Sequence, residues 1–262
     1  MISAGKSDIG LVRKVNEDSM LCLNLNDEFQ LDRKVSMFIV ADGMGGHNAG
    51  EVASSMAVQE ILSYVKEKIT SRQINWNDEE SIFDVVRNSI LSANDKIYKK
   101  AILNSECLGM GTTLSMALVL DNTIYIGHIG DSRVYLVDAN GVVKLTEDHS
   151  LVAELVKNGT IKPEEANNHP QRNIITRALG TEFTTEVDTV RAEVKHEGYI
   201  VLCTDGLSNL ITEDEIRKCI LRAPSIDTAC NELIETAKDR GGHDNITVII
   251  IKMDKDGDCN GR

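Results

Sequence analysis

The stretch TTLSMALVLDNTIYIGHIGDSRVYLVD, residues 112–138, carries three apolar β-rich runs in close succession: Thr112–Leu120, Thr123–Gly130 and Arg133–Asp138. Asp121-Asn122 is a turn signal between the first two. Asn140-Gly141 predicts a hairpin after Tyr135–Val137, because both residue types tolerate the backbone angles of tight turns. Working outward, further runs occur at Ser19–Leu25 and Val35–Ala41 upstream, and at Tyr199–Cys203 and Ile246–Lys252 downstream. Helical periodicity groups Ala49, Val52, Ala53, Met56, Ala57 and Ile61 on one face, and likewise Ile82, Val85, Val86, Ala93 and Ile97. A third such face joins Ile226, Ala229, Cys230, Leu233, Ile234 and Ala237, and T-E-D-E at Thr212 reads as the capping box of a shorter helix. The order of elements is strands, two long helices, a run of strands, an irregular segment, then strand, two helices and strand. That is not a βαβ alternation. It predicts an α+β fold of antiparallel sheets covered by helices. Residues 150–176 lack a strong pattern, contain HPQRN, and read as a partly helical excursion near the functional site.

The 262 residues suffice for a large buried core, and with only 3 prolines and no Ser/Gly/Pro-rich linker they read as one domain. A formal net charge of −13 disfavours nucleic acid and anionic membranes as partners. No run of about 20 apolar residues predicts a membrane-spanning helix, and MISAGKSDIGLVRK lacks the apolar core of a signal peptide. The six cysteines, at 22, 107, 203, 219, 230 and 259, show no CxxC spacing. They read as thiols of a reducing cytoplasm, not as a disulfide or zinc framework.

The distinctive pattern is where the aspartates stand. SMFIVADG runs into Asp42, IYIGHIGDSR into Asp131 and YIVLCTDG into Asp205, and HDNITVIII starts just after Asp244. Taken singly, each is a turn or a cap. Four at the edges of apolar strands are hard to place as independent turns, and their convergence would need cations to offset the repulsion. Oxygen-only donors select hard ions such as Mg²⁺ or Mn²⁺. RKVNED, Arg13 to Asp18, adds Asp18 as a candidate ligand and Arg13 as a candidate bidentate phosphate clamp. In DGMGGHNAGEVAS, the Gly43 carbonyl is a further candidate ligand and His47 a candidate general acid.

Taken together, RKVNED, VADGMGGH, GMGTTL, GDSR, LTEDHS, RNIITRALG, LCTDGLSN and GGHDNITV resemble the metal-dependent protein phosphatase family (PPM, type 2C), above all its compact bacterial members. The motifs run in the family's order from Arg13 to Val248. The resemblance implies two antiparallel β-sheets packed face to face with helices on both outer faces, a four-layer α/β/β/α arrangement. It implies a single domain over 1–254, a flap at about 150–176 and a short tail at 255–262. It implies two to three Mn²⁺ or Mg²⁺ ions per chain. Their ligands would be Asp18, Asp42 (bridging), the Gly43 carbonyl, Asp205 and Asp244, with Asp131 and Asp205 at a third site. Arg13 would clamp the substrate phosphate, Asn16 and Glu17 would support the site, and Asn245 would orient Asp244 or its strand start. Where animal relatives carry a His directly after the metal-binding Asp-Gly, this chain has Met44, and His47 is its nearest histidine.

The implied reaction is hydrolysis of phosphoserine and phosphothreonine by in-line attack of a metal-bridging water. The implied substrates are phosphoproteins made by a bacterial Ser/Thr kinase, and the kinase itself, met by a cytoplasmic monomer. Cys203 lies inside an apolar strand and CTDGLSN lacks the C-x5-R loop of thiol phosphatases. Ser132 and Ser150 lack the G-x-S-x-G elbow of serine hydrolases. The tail motif DKDGD lacks the distal Glu of an EF-hand. Two rivals stand beside the main reading: an inactive regulatory relative, and a hydrolase of nucleotides or small phosphate esters.

Overall fold

The computed structural model describes residues 1–45, 49–166, 169–194 and 197–253. Its elements, in chain order, are β1 (Ile2–Asp8), β2 (Asp18–Asn24), β3 (Val35–Met44), α1 (Ala49–Thr70), α2 (Glu79–Leu103), β4 (Gly111–Thr112), β5 (Leu114–Leu120), β6 (Thr123–Ile129), β7 (Arg133–Val137) and β8 (Val142–Lys144). They continue with α3 (Leu151–Lys157), α4 (Pro163–Ala166), β9 (Asp188–Glu193), β10 (Gly198–Cys203), α5 (Asp205–Ser208), α6 (Glu213–Arg222), α7 (Ile226–Asp239) and β11 (Ile246–Met253).

One sheet has the order β1-β11-β10-β7-β8 and the other β2-β3-β5-β6-β9, with β4 attached to β3. Every pairing is antiparallel. The central strands are apolar throughout because both of their faces are covered. In β3, Met37, Ile39 and Ala41 pack with the apolar faces of α1 and α2. Phe38 and Val40, pointing the other way, join Ala117, Ile126, Ile200, Leu202, Ile249 and Ile251 between the sheets. In the first sheet, β1-β11-β10-β7-β8, Val201, Cys203, Val248 and Ile250 face α6 and α7. The α/β/β/α sandwich with helices on both outer faces follows from this double burial.

Local signals are honoured where the sequence states them. Asp121-Asn122 connects β5 to β6. The β7–β8 hairpin turns over Asp138–Gly141, where the Asp138 carboxylate accepts from the Asn140 and Gly141 N–H groups at 2.7 and 2.9 Å. Helix α6 begins with the full capping box: Thr212 Oγ accepts from Glu215 N, and the Glu215 carboxylate accepts from Thr212 N at 2.9 Å. The excursion at 150–176 contains α3 and α4, and a bridge between Ser150 and Ile175 closes its base.

Strand register gathers the polar ends on one side of the sandwich. In one sheet Asp18 pairs with Asp42, Val40 with Ser115, and Leu114 with Ile129. In the other, Cys203 pairs with both Val248 and Arg133, and Asp8 with Ile246. The N-terminal ends of β2, β5, β7 and β11 therefore lie with the C-terminal ends of β3, β6 and β10.

Candidate metal centre

Asp18, Asp42, Asp131, Asp205 and Asp244 all stand at this gathered end, each just inside or beside a strand terminus. Asp18 and Asp42 face each other across β2 and β3. Asp205 opens α5 directly after β10, Asp244 precedes β11, and Asp131 lies in the β6–β7 connection. Asp18, Asp131 and Asp205 each keep a buried carboxylate oxygen uncommitted, whereas Asp244 has both oxygens engaged, by Arg13 and by Asn245 N. Thr204 and Thr247 hydroxyls donate to Asp18 Oδ2 at 2.9 and 2.6 Å, fixing that side chain from the opposite sheet. Asn209 donates to Asp205 Oδ2 at 3.1 Å. Asp42 is fixed through its backbone: its N–H donates to Thr113 Oγ1, and its carbonyl accepts from Thr113 N and Thr112 Oγ1.

Electrostatics set the cluster apart from ordinary turns. Asp42 is pushed well above the usual carboxylate range, first by burial and then by the charges of Asp18, Asp205, Asp244 and Asp131. Burial raises Asp18 to about 7 against the Thr247 and Thr204 hydroxyls, with Asp205 and Asp244 adding to the rise. Asp131 also reaches about 7, through burial and then Asp205 and Asp148, with Arg133 opposing. Asp205 is raised by burial and by Asp244, against a hydrogen bond with Asp42. Such a set keeps protons unless cations replace them.

A test of fit comes from the uncommitted atoms. Oδ1 of Asp18, of Asp131 and of Asp205 are buried with no hydrogen-bond partner. Buried polar atoms ordinarily have partners, so three orphaned carboxylate oxygens in one cluster mark places for a cation. Among the described residues no three His, Cys, Asp or Glu side chains close tightly enough to cage an ion by themselves. The donor set is oxygen alone, which suits hard ions.

The support around the cluster is specific. Glu17 accepts the Gly50 N–H at the start of α1, and its own carbonyl accepts from Gly43 N at 3.1 Å and Ser54 Oγ at 2.6 Å. A Cβ on Gly43 would stand 2.1 Å from the Gly50 carbonyl oxygen, so only glycine lets the end of β3 pass this close to α1. Asn16 accepts the Asp18 N–H and donates to Ser7 Oγ. Asn245 ties the N-terminal loop to the start of β11. Its amide binds Glu17 N, Ile9 O and Val15 O, so it shapes the loop that carries Arg13, while only its backbone N–H reaches Asp244 Oδ1. Arg13 lies over Asp244, with Nη2 to Oδ2 at 2.7 Å, and half of its side chain faces solvent. His47 lies outside the described residues.

Several supporting groups were not singled out in the sequence. Thr113 and Thr247 read there as strand formers, Thr204 as the residue between a strand and Asp205, and Arg133 as part of a strand. Arg133 makes a forked contact with Asp148, with Nε at 3.1 Å from both carboxylate oxygens and Nη2 at 2.7 Å from Oδ2. The pair ties the start of β7 to the base of the 150–176 excursion, beside Asp131. His149, the next residue, accepts the Gly130 N–H on Nδ1, so its proton sits on Nε2 and donates to Asp188 at 3.1 Å. Replacing Arg133 with Met leaves the nearly buried Asp148 with Lys144 alone. The expected cost is roughly 3–5 kcal/mol of folding stability. Urea unfolding of the variant checks it, and a loss under about 1 kcal/mol would show the pair to be dispensable.

A family model described as "Protein phosphatase 2C" matches residues 14–243. The serine/threonine phosphatase stp of Listeria monocytogenes is 38% identical over 253 residues, covering 95% of this chain and 94% of the relative. Among solved structures, the serine/threonine phosphatase Stp1 from Staphylococcus aureus superposes with a TM-score of 0.85 at 33% identity, covering 96% of this chain and 94% of that one. The catalytic domain of the serine threonine protein phosphatase PstP, solved in complex with 2 manganese ions, gives 0.79 at 32% identity, with 95% and 96% covered.

Proposed function

Since this chain belongs to the protein phosphatase 2C family and is a serine/threonine protein phosphatase, we propose that its acidic strand-end cluster is a metal-dependent site for hydrolysing phosphoserine and phosphothreonine. Asp18, Asp42, the Gly43 carbonyl, Asp205 and Asp244 would hold two divalent ions, with Asp42 shared between them. Asp131 and Asp205 would hold a third, and Mn²⁺ or Mg²⁺ suits these oxygen donors. Bound there, such ions supply Lewis-acid neutralisation of the phosphate and acidify water. The orphaned oxygens of Asp18, Asp131 and Asp205 carry this reading.

The protein's own groups supply position. Arg13 has five N–H donors in a planar fork, of which one engages Asp244. The others would take two nonbridging phosphate oxygens, with Nη1 now 4.0 Å from Glu17 Oε2, which would orient phosphorus for in-line attack by water opposite the serine or threonine oxygen. Thr204 and Thr247 keep Asp18 fixed through the reaction, so little reorganisation is needed as charge builds on the phosphate. His47 remains the candidate to protonate the leaving oxygen.

The reading extends to setting: one catalytic domain over 1–254 with a flap at 150–176, acting as a cytoplasmic monomer on proteins phosphorylated by a Ser/Thr kinase, the kinase among them. The net charge of −13 supports the exclusion of nucleic acid and anionic lipid. Among the described residues no helix is long and apolar enough to cross a membrane. Hydrolysis of a phosphothreonine peptide and of a nucleoside triphosphate, each with Mn²⁺, tests the substrate class. The peptide is expected to be preferred in kcat/KM by at least about tenfold. A preference for the nucleotide would move the site to small phosphate esters.

A further inference from the structure

The segment between β1 and β2 exposes apolar side chains that nothing in the fold requires to be outside. Leu11 is 63% exposed and Val12 61%, with Ile9 at 37%, all within four residues of Arg13. Small peptide-binding surfaces combine such apolar contacts with a few fixed polar groups.

This exposure is not the disorder of a loose loop. Asn245 Nδ2 binds the carbonyls of Ile9 and Val15 at 3.0 Å each, clasping the segment at both ends. Leu11 N donates to the Gly242 carbonyl at 2.8 Å, and Gly10 N to Asp8 Oδ1 at 2.8 Å. Gly10 takes φ +77°, and a Cβ there would stand 2.2 Å from the Asp244 carbonyl oxygen. The loop is thus pressed onto the segment that ends in Asp244, and it holds Leu11 and Val12 outward beside the candidate phosphate clamp. Rigid apolar groups bind with little ordering cost, which favours them as recognition elements.

We propose that Leu11 and Val12 are specificity-determining residues that dock an apolar side chain of the phosphoprotein substrate; the proposal rests on the phosphatase reading above. With its phosphate on Arg13, the substrate chain would run within reach of the apolar pair, which stands one and two residues before that arginine. Leu11 lies two residues from Arg13, a span of at most roughly 7 Å, so the docked side chain would be about two or three residues from the phosphorylated one. The neighbouring Lys14 is exposed as well, so the surface offered is apolar and locally cationic on an otherwise acidic protein.

The test compares phosphothreonine peptides carrying Leu or Ser at two and three positions on either side of the phosphothreonine, with p-nitrophenyl phosphate as a substrate that has no flanking chain. Wild type is expected to favour a Leu-flanked peptide by about tenfold in kcat/KM. The double variant Leu11→Ser, Val12→Ser should erase that preference through KM while leaving kcat and p-nitrophenyl phosphate hydrolysis unchanged. Val12→Ser alone, away from the Gly242 contact, should erase part of it should the double variant fold poorly. The proposal is overturned if wild type shows no flank preference, if the variants keep it, or if p-nitrophenyl phosphate hydrolysis falls in parallel. It is also overturned if the pair instead holds a second copy of the chain, seen as a wild-type dimer that the variants convert to monomer with peptide kinetics unmoved. A wild type that hydrolyses p-nitrophenyl phosphate but no phosphopeptide would overturn the phosphatase reading together with this one.

Discussion

Asp42→Asn is expected to lower turnover of a phosphothreonine peptide on the order of 10³-fold or more, while raising the thermal stability of the metal-free protein. The two effects share a cause. Asp42 stands among four other aspartates whose charges oppose its ionisation. Asn needs no proton to be buried there without metal, and it takes away the shared ligand on which the proposed site depends. Peptide turnover against Mn²⁺ concentration, with a melting curve in chelator, reads both. Ordinary Mn²⁺-stimulated turnover in the variant would remove Asp42 from its bridging role.

Chelation of divalent ions should abolish hydrolysis in the wild type, and the difference in melting temperature between metal-loaded and metal-free protein should widen from pH 5 to pH 8. Asp18 and Asp131 have folded-state values near 7, above those of an unfolded chain. Groups raised in this way bind more protons when folded. Their contribution is complete below the unfolded value and is lost as pH climbs through about 7. His128, depressed to about 4 by burial, acts oppositely, its contribution falling away as pH drops toward 4. It does so with or without metal, so the loaded-minus-empty difference isolates the carboxylates. A widening of at least about 5 °C is expected for a chain of this size. A gap independent of pH would mean that the cluster stays ionised without cations, contrary to its burial.

What was legible in the sequence follows from which interactions are local. The central strands announced themselves because double burial leaves no polar alternation, as in SMFIVADG and YIVLCTDG. The two long amphipathic helices and the Thr212 capping box were equally plain. Strands β1 and β9 escaped notice because they are sheet edges. ISAGKSD and DTVRAE are mixed in polarity, half exposed, and owe their extended form to a single neighbour. In the site, the aspartates were visible because an acid at the end of an apolar run is costly without a cation. The residues that hold them were not, since Thr247 in a strand looks like an ordinary β-former and Thr204, just past one, like an ordinary helix cap. Their contact with Asp18 joins residues 186 and 229 positions apart. Asn245 was noticed for its place beside Asp244, and its side-chain amide reaches Ile9, Val15 and Glu17 far away in the sequence, which spacing alone does not reveal.

The pairing of β1 with β11, from Ile2–Lys252 to Asp8–Ile246, joins segments from opposite ends of the sequence. During synthesis on the ribosome, the first sheet has no seam to close until β11 emerges, and the hydroxyl of Thr247 cannot reach Asp18 before then. Partly made chains would therefore carry the early helices and the second sheet without an organised catalytic end. The catalytic end is thus completed by a long-range closure, and the segments before β11 cannot organise it alone.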